Sequence, residues 1–218
     1  MSLLEQIQEM QKGFMEQVSQ ENLKIMQSAT EKLVTSGIVE KRLKEGDKMP
    51  VFSLSNAISE TVSSNTLLSK GPLVINFYRG SWCPYCNLEL RAFQEALPEI
   101  TDLGAQLVAI SPNLPVKSLS SIEKNSLTFE VLSDIGNKIS RQFGLVFTLD
   151  AQLQPLYKQF GIEIPTFNGD ESYELPIPAT YVINSVGIIT LAFVDADYTK
   201  RLEPEEVVKA LKIIKNKA

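Results

Sequence analysis

The chain has no histidine among its 218 residues. That absence excludes a Ser-His-Asp or Cys-His nucleophile and any His-ligated metal. Cysteine is nearly missing as well: there are two, Cys83 and Cys86. Two thiolates fall short of the four ligands a mononuclear zinc normally takes, so only a metal shared between two subunits would remain, and neither metal nor cofactor is expected. An excess of positive charge is also lacking. The formal net charge is −5, which offers no basic face to phosphates and argues against a nucleic-acid partner. No apolar run approaches the ~20 residues that span a bilayer, so no membrane partner is expected. The start, "MSLLEQIQEMQKGFMEQ", lacks a basic n-region, an unbroken apolar core and a small-residue cleavage site, which speaks against a secretory signal. The expected address is the cytoplasm, where a structural disulfide is unusual.

What is present divides into two parts. Residues 2–35 predict one long helix, with apolar residues at Leu3, Ile7, Met10, Phe14, Val18, Ile25, Ala29 and Leu33 in steps of three, four and seven. Such a stripe serves either as core packing or as an arm that pairs with a second subunit in a homodimer. A charged linker, "KRLKEGDKMP", follows, so residues 1–45 form an extension and 46–218 the main domain. From Pro50 onward the pattern is strand, helix, strand, helix, strand, helices, hairpin and helix. Buried strands are expected at 72–78 ("PLVINFY"), 105–111 ("AQLVAIS") and 127–134 ("LTFEVLSD"), a hairpin at 177–198, and a closing helix at 203–217. This order gives an α/β fold, a central mixed sheet with parallel strands inside and an antiparallel hairpin at one edge, flanked by helices. The stretch 162–176, "IEIPTFNGDESYELP", is a long loop of functional or mobile character.

Both cysteines fall in "GSWCPYC", residues 80–86. Cys83 follows a central strand and opens a helix, where free backbone N–H groups and the positive end of the dipole favour a thiolate. Pro84 suits the first helical position, since its missing N–H costs nothing there. Cys86 lies a turn further in, less exposed and within disulfide reach. Cys83 is therefore expected to attack and Cys86 to resolve. A C-x-x-C in a strand–helix–strand context signals redox chemistry. With no imidazole available, Arg79 is the expected cation for the thiolate and Ser81 a hydroxyl donor. Trp82 is expected to be partly buried, packing on one side and offering a flat surface to a partner on the other, and Tyr85 to lie in the exposed turn beside Pro84. Glu89 and Arg91 have the pattern of solvated helix residues, and Arg201 that of a loop residue with a remote chance of reaching the site.

Together "INFYRGSWCPYC", "VAISPN", "FEVLSD", "FGL" and "PIPATYVIN" resemble the peroxiredoxin-like branch of the alkyl hydroperoxide reductase/thiol-specific antioxidant (AhpC/TSA) family, over about residues 46–218. The resemblance implies a thioredoxin-like fold and a cis Ile177–Pro178 bond facing the cysteines. It implies a thiol peroxidase that reduces hydroperoxides through Cys83 and is re-reduced by a thioredoxin-like or glutathione-linked thiol. The chain departs from the family pattern at Gly80, where a Thr or Ser is usual, at Asn76, where a Pro is usual, and at Pro178, which stands in for an active-site Arg. Two other functions stay open: a thioredoxin-like exchange of protein disulfides, and a dimeric redox-sensing interaction module.

Overall fold

The structure, a computed structural model, describes residues 1–216. Its centre is a seven-stranded mixed sheet in the order β2-β1-β5-β4-β3-β8-β9. The inner strand β3 (Leu73–Phe77) is buried along its whole length. It runs parallel to β4 (Gln106–Ser111), which is parallel to β5 (Glu130–Ser133). On its other side β3 is antiparallel to β8 (Ala179–Ile183), which turns into the edge strand β9 (Ile189–Val194). The far edge is a second antiparallel hairpin, β1 (Ser53–Asn56) and β2 (Thr61–Ser63). The expected thioredoxin-like sheet, with its parallel interior and antiparallel edge, is what forms. β3 is apolar except at Asn76, which donates through Nδ2 to the Thr180 hydroxyl at 3.2 Å, as suits a strand covered on both faces.

Alternation along the strands splits the core in two. Val74, Leu107, Ala109, Val131 and Val182 face α4 (Pro84–Asp102) and α9 (Pro204–Lys215). Leu73, Ile75, Phe77, Val108, Ile110, Leu132 and Tyr181 face the other way, onto Phe143 and Leu145. The helix α9 keeps Pro204 in its first turn, with Glu205 and Glu206 beside it, as the residue order predicts. Lys217, the last residue of the expected helix, lies outside the described residues.

The N-terminal stripe is helical but does not make one helix. It forms α1 (Leu3–Gln17) and α2 (Gln20–Thr35), parted at Val18, which is extended (φ −98°, ψ 138°). Ser19 restarts the helix by accepting a hydrogen bond from the Asn22 N–H at 3.2 Å, as a serine N-cap does. The break lets the stripe serve two places. Leu3 and Ile7 of α1 pack with the buried face of α4 and α9, whereas Ala29 of α2 packs with Leu149, Leu153 and Leu156 near α7 (Leu153–Gln159). The first turn of α1 is tied to the start of α9, because the Glu203 carboxylate accepts from the N–H groups of Leu3 (3.1 Å) and Leu4 (2.8 Å).

The expected long loop also differs. Residues 162–176 contain a short helix, α8 (Ile164–Asn168), and a strand, β7 (Glu174–Pro176), which pairs antiparallel with β6 (Val146–Thr148). The Ile177 N–H continues that ribbon by donating to Leu145 O at 2.8 Å. The chain thus runs extended from β7 into β8, the conformation favoured before proline. The Ile177–Pro178 bond is trans; no cis peptide bond occurs among the described residues.

Candidate functional site: two sulfurs and two arginines at a helix start

β3 ends at Phe77, and the chain crosses to the N-terminus of α4 in six residues. Gly80 makes the crossing possible. Its φ is +150°, and a Cβ there would lie 2.5 Å from Trp82 Nε1 and 2.9 Å from Asn113 Nδ2. A Thr or Ser three residues before Cys83 has no room in this site, which gives the departure at Gly80 a steric cause. The turn is held by Asn113, whose Oδ1 accepts from the Ser81 N–H (2.9 Å) and from the Ser81 hydroxyl (3.3 Å). Ser81 was expected to serve the thiolate; its hydroxyl is engaged by Asn113 instead.

Cys83 is the N-cap of α4 and Pro84 its first residue. The first helical bond is made by the Asn87 N–H to Cys83 O, at 3.1 Å. The N–H groups of Tyr85 and Cys86 precede it and have no helical carbonyl to bond. Both cysteines are free thiols, and both have 0% of their surface exposed. The expectation of an exposed Cys83 therefore fails. Trp82 is half-buried, Tyr85 is buried rather than on an open turn, and Pro84 alone of the motif is exposed. The cover comes from aromatic rings. Arg79 Cζ sits 4.2 Å from the Tyr198 ring centroid and 4.9 Å from that of Trp82. Tyr157 meets Trp82 edge-on at 5.7 Å, and Tyr85 meets Tyr198 edge-on at 5.5 Å.

Each sulfur has its own guanidinium. Arg79 donates through Nη2 to Cys83 Sγ at 3.5 Å and through Nη1 to the Tyr157 hydroxyl at 3.0 Å. Arg201 donates through Nη2 to Cys86 Sγ at 3.4 Å, and through Nε to the Glu89 carboxylate at 2.7 Å. The Arg201–Glu89 pair is about as buried as a pair can be, with 1% of each side chain exposed. Glu89 is thus no solvated helix residue, and Arg201 does reach the site. Arg91, by contrast, is part-buried and donates to Asn125 Oδ1 at 2.9 Å.

The two thiols differ in acidity. Burial pushes Cys83 up, but contact with the Cys86 thiol and the charges of Arg79 and Arg201 prevail and hold it well below the ordinary thiol value. Burial, the shared hydrogen bond and the negative charge of Cys83 push Cys86 well above that value, against the two arginines. The surroundings thus favour a thiolate at Cys83 over one at Cys86. Pro178 and Ile177 line, with Arg79, Tyr157 and Tyr198, a cavity of about 210 Å³ beside the arginine that contacts Cys83.

Among the residues sequence reasoning singled out, Cys83, Cys86, Arg79, Trp82, Pro178 and Ile177 converge here. Tyr157, Tyr198 and Glu89 were missed. Their only sequence signal was a polar or aromatic residue in an otherwise ordinary helix or loop. No cluster of residues that could hold a metal occurs among the described residues.

A dithiol at the start of the helix that follows a central parallel strand defines a thioredoxin-fold thiol protein. Within that class the assignment is specific: the AhpC/TSA family pattern matches residues 45–192, most of the chain, and the protein belongs to that family. It is 27% identical over 183 residues to the chloroplastic peroxiredoxin Q of Triticum aestivum, covering 84% of this chain and 71% of that one. It is 32% identical over 103 residues to the putative peroxiredoxin bcp of Haemophilus influenzae, covering 47% of this chain and 66% of the relative. Among solved structures, peroxidoxin BcpB from Mycobacterium tuberculosis superimposes with a TM-score of 0.62 at 22% identity, over 79% of this chain and 98% of that one. This last likeness carries the fold.

Proposed function

We propose that the protein is a thiol peroxidase in which Cys83 reduces a hydroperoxide and Cys86 resolves the product. The thiolate attacks the terminal oxygen and the O–O bond breaks. The alkoxide leaves and is protonated to an alcohol, and Cys83 keeps the oxygen as a sulfenic acid. Cys86, its proton given to the alkoxide, then attacks the Cys83 sulfur; the S–S bond forms, the S–OH bond breaks and hydroxide leaves. A thioredoxin-like or glutathione-linked dithiol returns the pair to its reduced form, meeting it on the face marked by exposed Pro84 and half-buried Trp82.

The observation that carries this reading is Arg79: a buried guanidinium, in no salt bridge among the described residues, donating to Cys83 Sγ. It stabilises the thiolate and is placed to stabilise charge that develops on the breaking O–O bond. It supplies what the Arg absent at Pro178 would supply. Complete burial of both sulfurs in the reduced form favours a small substrate for the first, oxidising step.

Stopped-flow mixing of the reduced protein with hydrogen peroxide or cumene hydroperoxide tests this, with the single Trp82 as the fluorescent probe. The expected rate constant exceeds that of a small thiol of equal thiolate fraction by at least about a hundredfold, the effect of one preorganised donor. A rate no faster than that thiol, with ready reduction of insulin disulfides by the same preparation, would establish the disulfide-exchange reading in its place.

A further inference from the structure

We propose that Arg201 is a second catalytic cation, assigned to Cys86, and that it takes over the buried negative charge when Cys83 is oxidised. The proposal rests on the peroxidase reading for its sequence of steps, but its core, an arginine acting on the second sulfur, does not.

Arg201 is fixed from every side. Nε is held by Glu89, Nη1 donates to the carbonyls of Tyr198 and Lys200, and Nη2 is aimed at Cys86 Sγ. Glu89 lies three residues after Cys86 on the same helix, so carboxylate and sulfur present themselves to one guanidinium. Glu89 is the positioning residue and Arg201 the group that touches a reacting atom.

The charge count decides what this arrangement does. Arg79, Arg201 and Glu89 are all buried, and the two cations exceed the one carboxylate by a single charge. An uncompensated buried charge is costly, and one thiolate removes the excess. In the reduced protein that thiolate is Cys83. Reaction with a hydroperoxide turns Cys83 into a neutral sulfenic acid and ejects an alkoxide, so the excess returns. The groups facing Cys86 are Cys83, Arg79 and Arg201, with Tyr78 and Glu89 beside it. Of these influences, the charge on Cys83 is the one that oxidation abolishes, and it is one of those that held the Cys86 proton in place. The Cys86 proton passes to the alkoxide, giving the alcohol, and Cys86 becomes the thiolate under Arg201. It attacks Cys83 Sγ; the S–S bond forms, the S–OH bond breaks and hydroxide leaves. One thiolate, one thiol and one hydroperoxide thus become one disulfide, one alcohol and one hydroxide, with atoms and charge conserved.

Two measurements test this. The first needs no peroxide. In Cys83→Ser the only thiol is Cys86, and its ionisation is read by thiolate absorbance against a Cys83→Ser/Cys86→Ser blank. Cys86 is expected to titrate at lower pH than in the parent. Adding Arg201→Gln together with Glu89→Gln, so that no charge is left unpaired, is expected to move the midpoint up by about one unit or more. Adding Arg201→Lys alone, which keeps the charge, should move it less. A midpoint unmoved by the double change in a folded protein overturns the proposal, because a purely structural arginine would leave it unmoved. The second measurement follows one turnover with a single equivalent of hydrogen peroxide, trapping sulfenic acid and counting remaining thiols. Arg201→Gln/Glu89→Gln is expected to slow disulfide formation at least tenfold more than it slows the peroxide step. Equal slowing of both steps also overturns the proposal. A slow peroxide step in the parent, with the titration shift present, removes the peroxidase reading and keeps the arginine's assignment to Cys86.

Discussion

The two halves of the site are near copies in contact and opposites in acidity. Cys83 has a guanidinium nitrogen at 3.5 Å and Cys86 has one at 3.4 Å, both sulfurs are wholly buried, yet one thiol is held well below its ordinary value and the other well above it. A cation at hydrogen-bond distance therefore does not by itself make a thiolate. Three differences do. Cys83 holds the N-cap position at the positive end of the helix dipole, whereas Cys86 lies inside the first turn. Arg79 has no carboxylate partner among the described residues, while Arg201 is already neutralised by Glu89. Finally, once the first sulfur ionises, its charge opposes ionisation of the second.

The largest test of this comparison is Glu89→Gln, which should make the halves more alike. It removes the carboxylate from a pair with 1% exposure and leaves a lone buried guanidinium, so urea unfolding at neutral pH should show a loss of about 3–5 kcal/mol. With its carboxylate gone, Arg201 should lower the Cys86 midpoint towards that of Cys83. A folded variant with unchanged stability and an unchanged Cys86 midpoint would break the account of why the halves differ.

Next in size is Arg79→Gln, which removes the free cation. The peroxide rate constant should fall more than tenfold, a barrier increase above about 1.4 kcal/mol. The pH profile should shift as well. In the parent the rate should hold as the pH falls below the ordinary thiol value and drop only as the pH passes through the depressed Cys83 value. In the variant the fall should begin near the ordinary thiol value of about 8.5.

The halves should also separate in stability. Cys83 is an acid whose folded value lies below its unfolded one. Its contribution is complete above about pH 8.5 and is lost as the pH falls through the folded value. Cys86 has the opposite sign, because its folded value is raised. Its contribution is present below about pH 8.5 and is lost as the pH rises through the folded value. The thiol contribution to the stability of the reduced protein should therefore peak near pH 8.5. Chemical unfolding of the parent and of Cys83→Ser/Cys86→Ser, which has no titrating thiol, reads it across pH 6–10: the difference between them should grow with pH up to about 8.5 and then decline, and a flat difference would contradict the signs assigned to both thiols.

The same asymmetry explains what could be read from the chain. The Cys83 half is local. Arg79, Cys83 and Pro84 fall within six residues at the end of an apolar run, and strand end, helix start and missing histidine together point to the thiolate and its cation. The Cys86 half joins residues 112 and 115 positions apart, and no periodicity links Glu89 to Arg201. A glutamate on a helix has the pattern of a solvated residue until its partner is known. The sheet was legible because β3, β4 and β8 are predominantly apolar and buried, with few polar residues such as Asn76 and Thr180 among them. The three-residue strands β6 and β7 are too short to carry a pattern, so the 162–176 stretch looked like open loop. The break between α1 and α2 was hidden because the apolar stripe keeps its seven-residue step from Val18 to Ile25. Only Ser19, an N-cap inside that stripe, marked it.

Tyr157→Phe gives the smallest and sharpest test, because it separates the charge of Arg79 from its aim. The phenol oxygen accepts from Arg79 Nη1 at 3.0 Å, and the ring packs edge-on against Trp82. Phenylalanine keeps the ring contact and deletes the oxygen. One hydrogen bond of this kind is worth about 0.5–1.5 kcal/mol, so the peroxide rate constant should fall about threefold and no more than tenfold. The guanidinium stays charged and stays over the Tyr198 ring, 4.2 Å from its centroid, so the Cys83 titration should hardly move. The variant should thus lose rate without losing thiolate. If its Cys83 midpoint rises as far as in Arg79→Gln, the phenol governs the charge at the sulfur rather than the direction of the arginine, and the first half of the site has been assigned to the wrong cause.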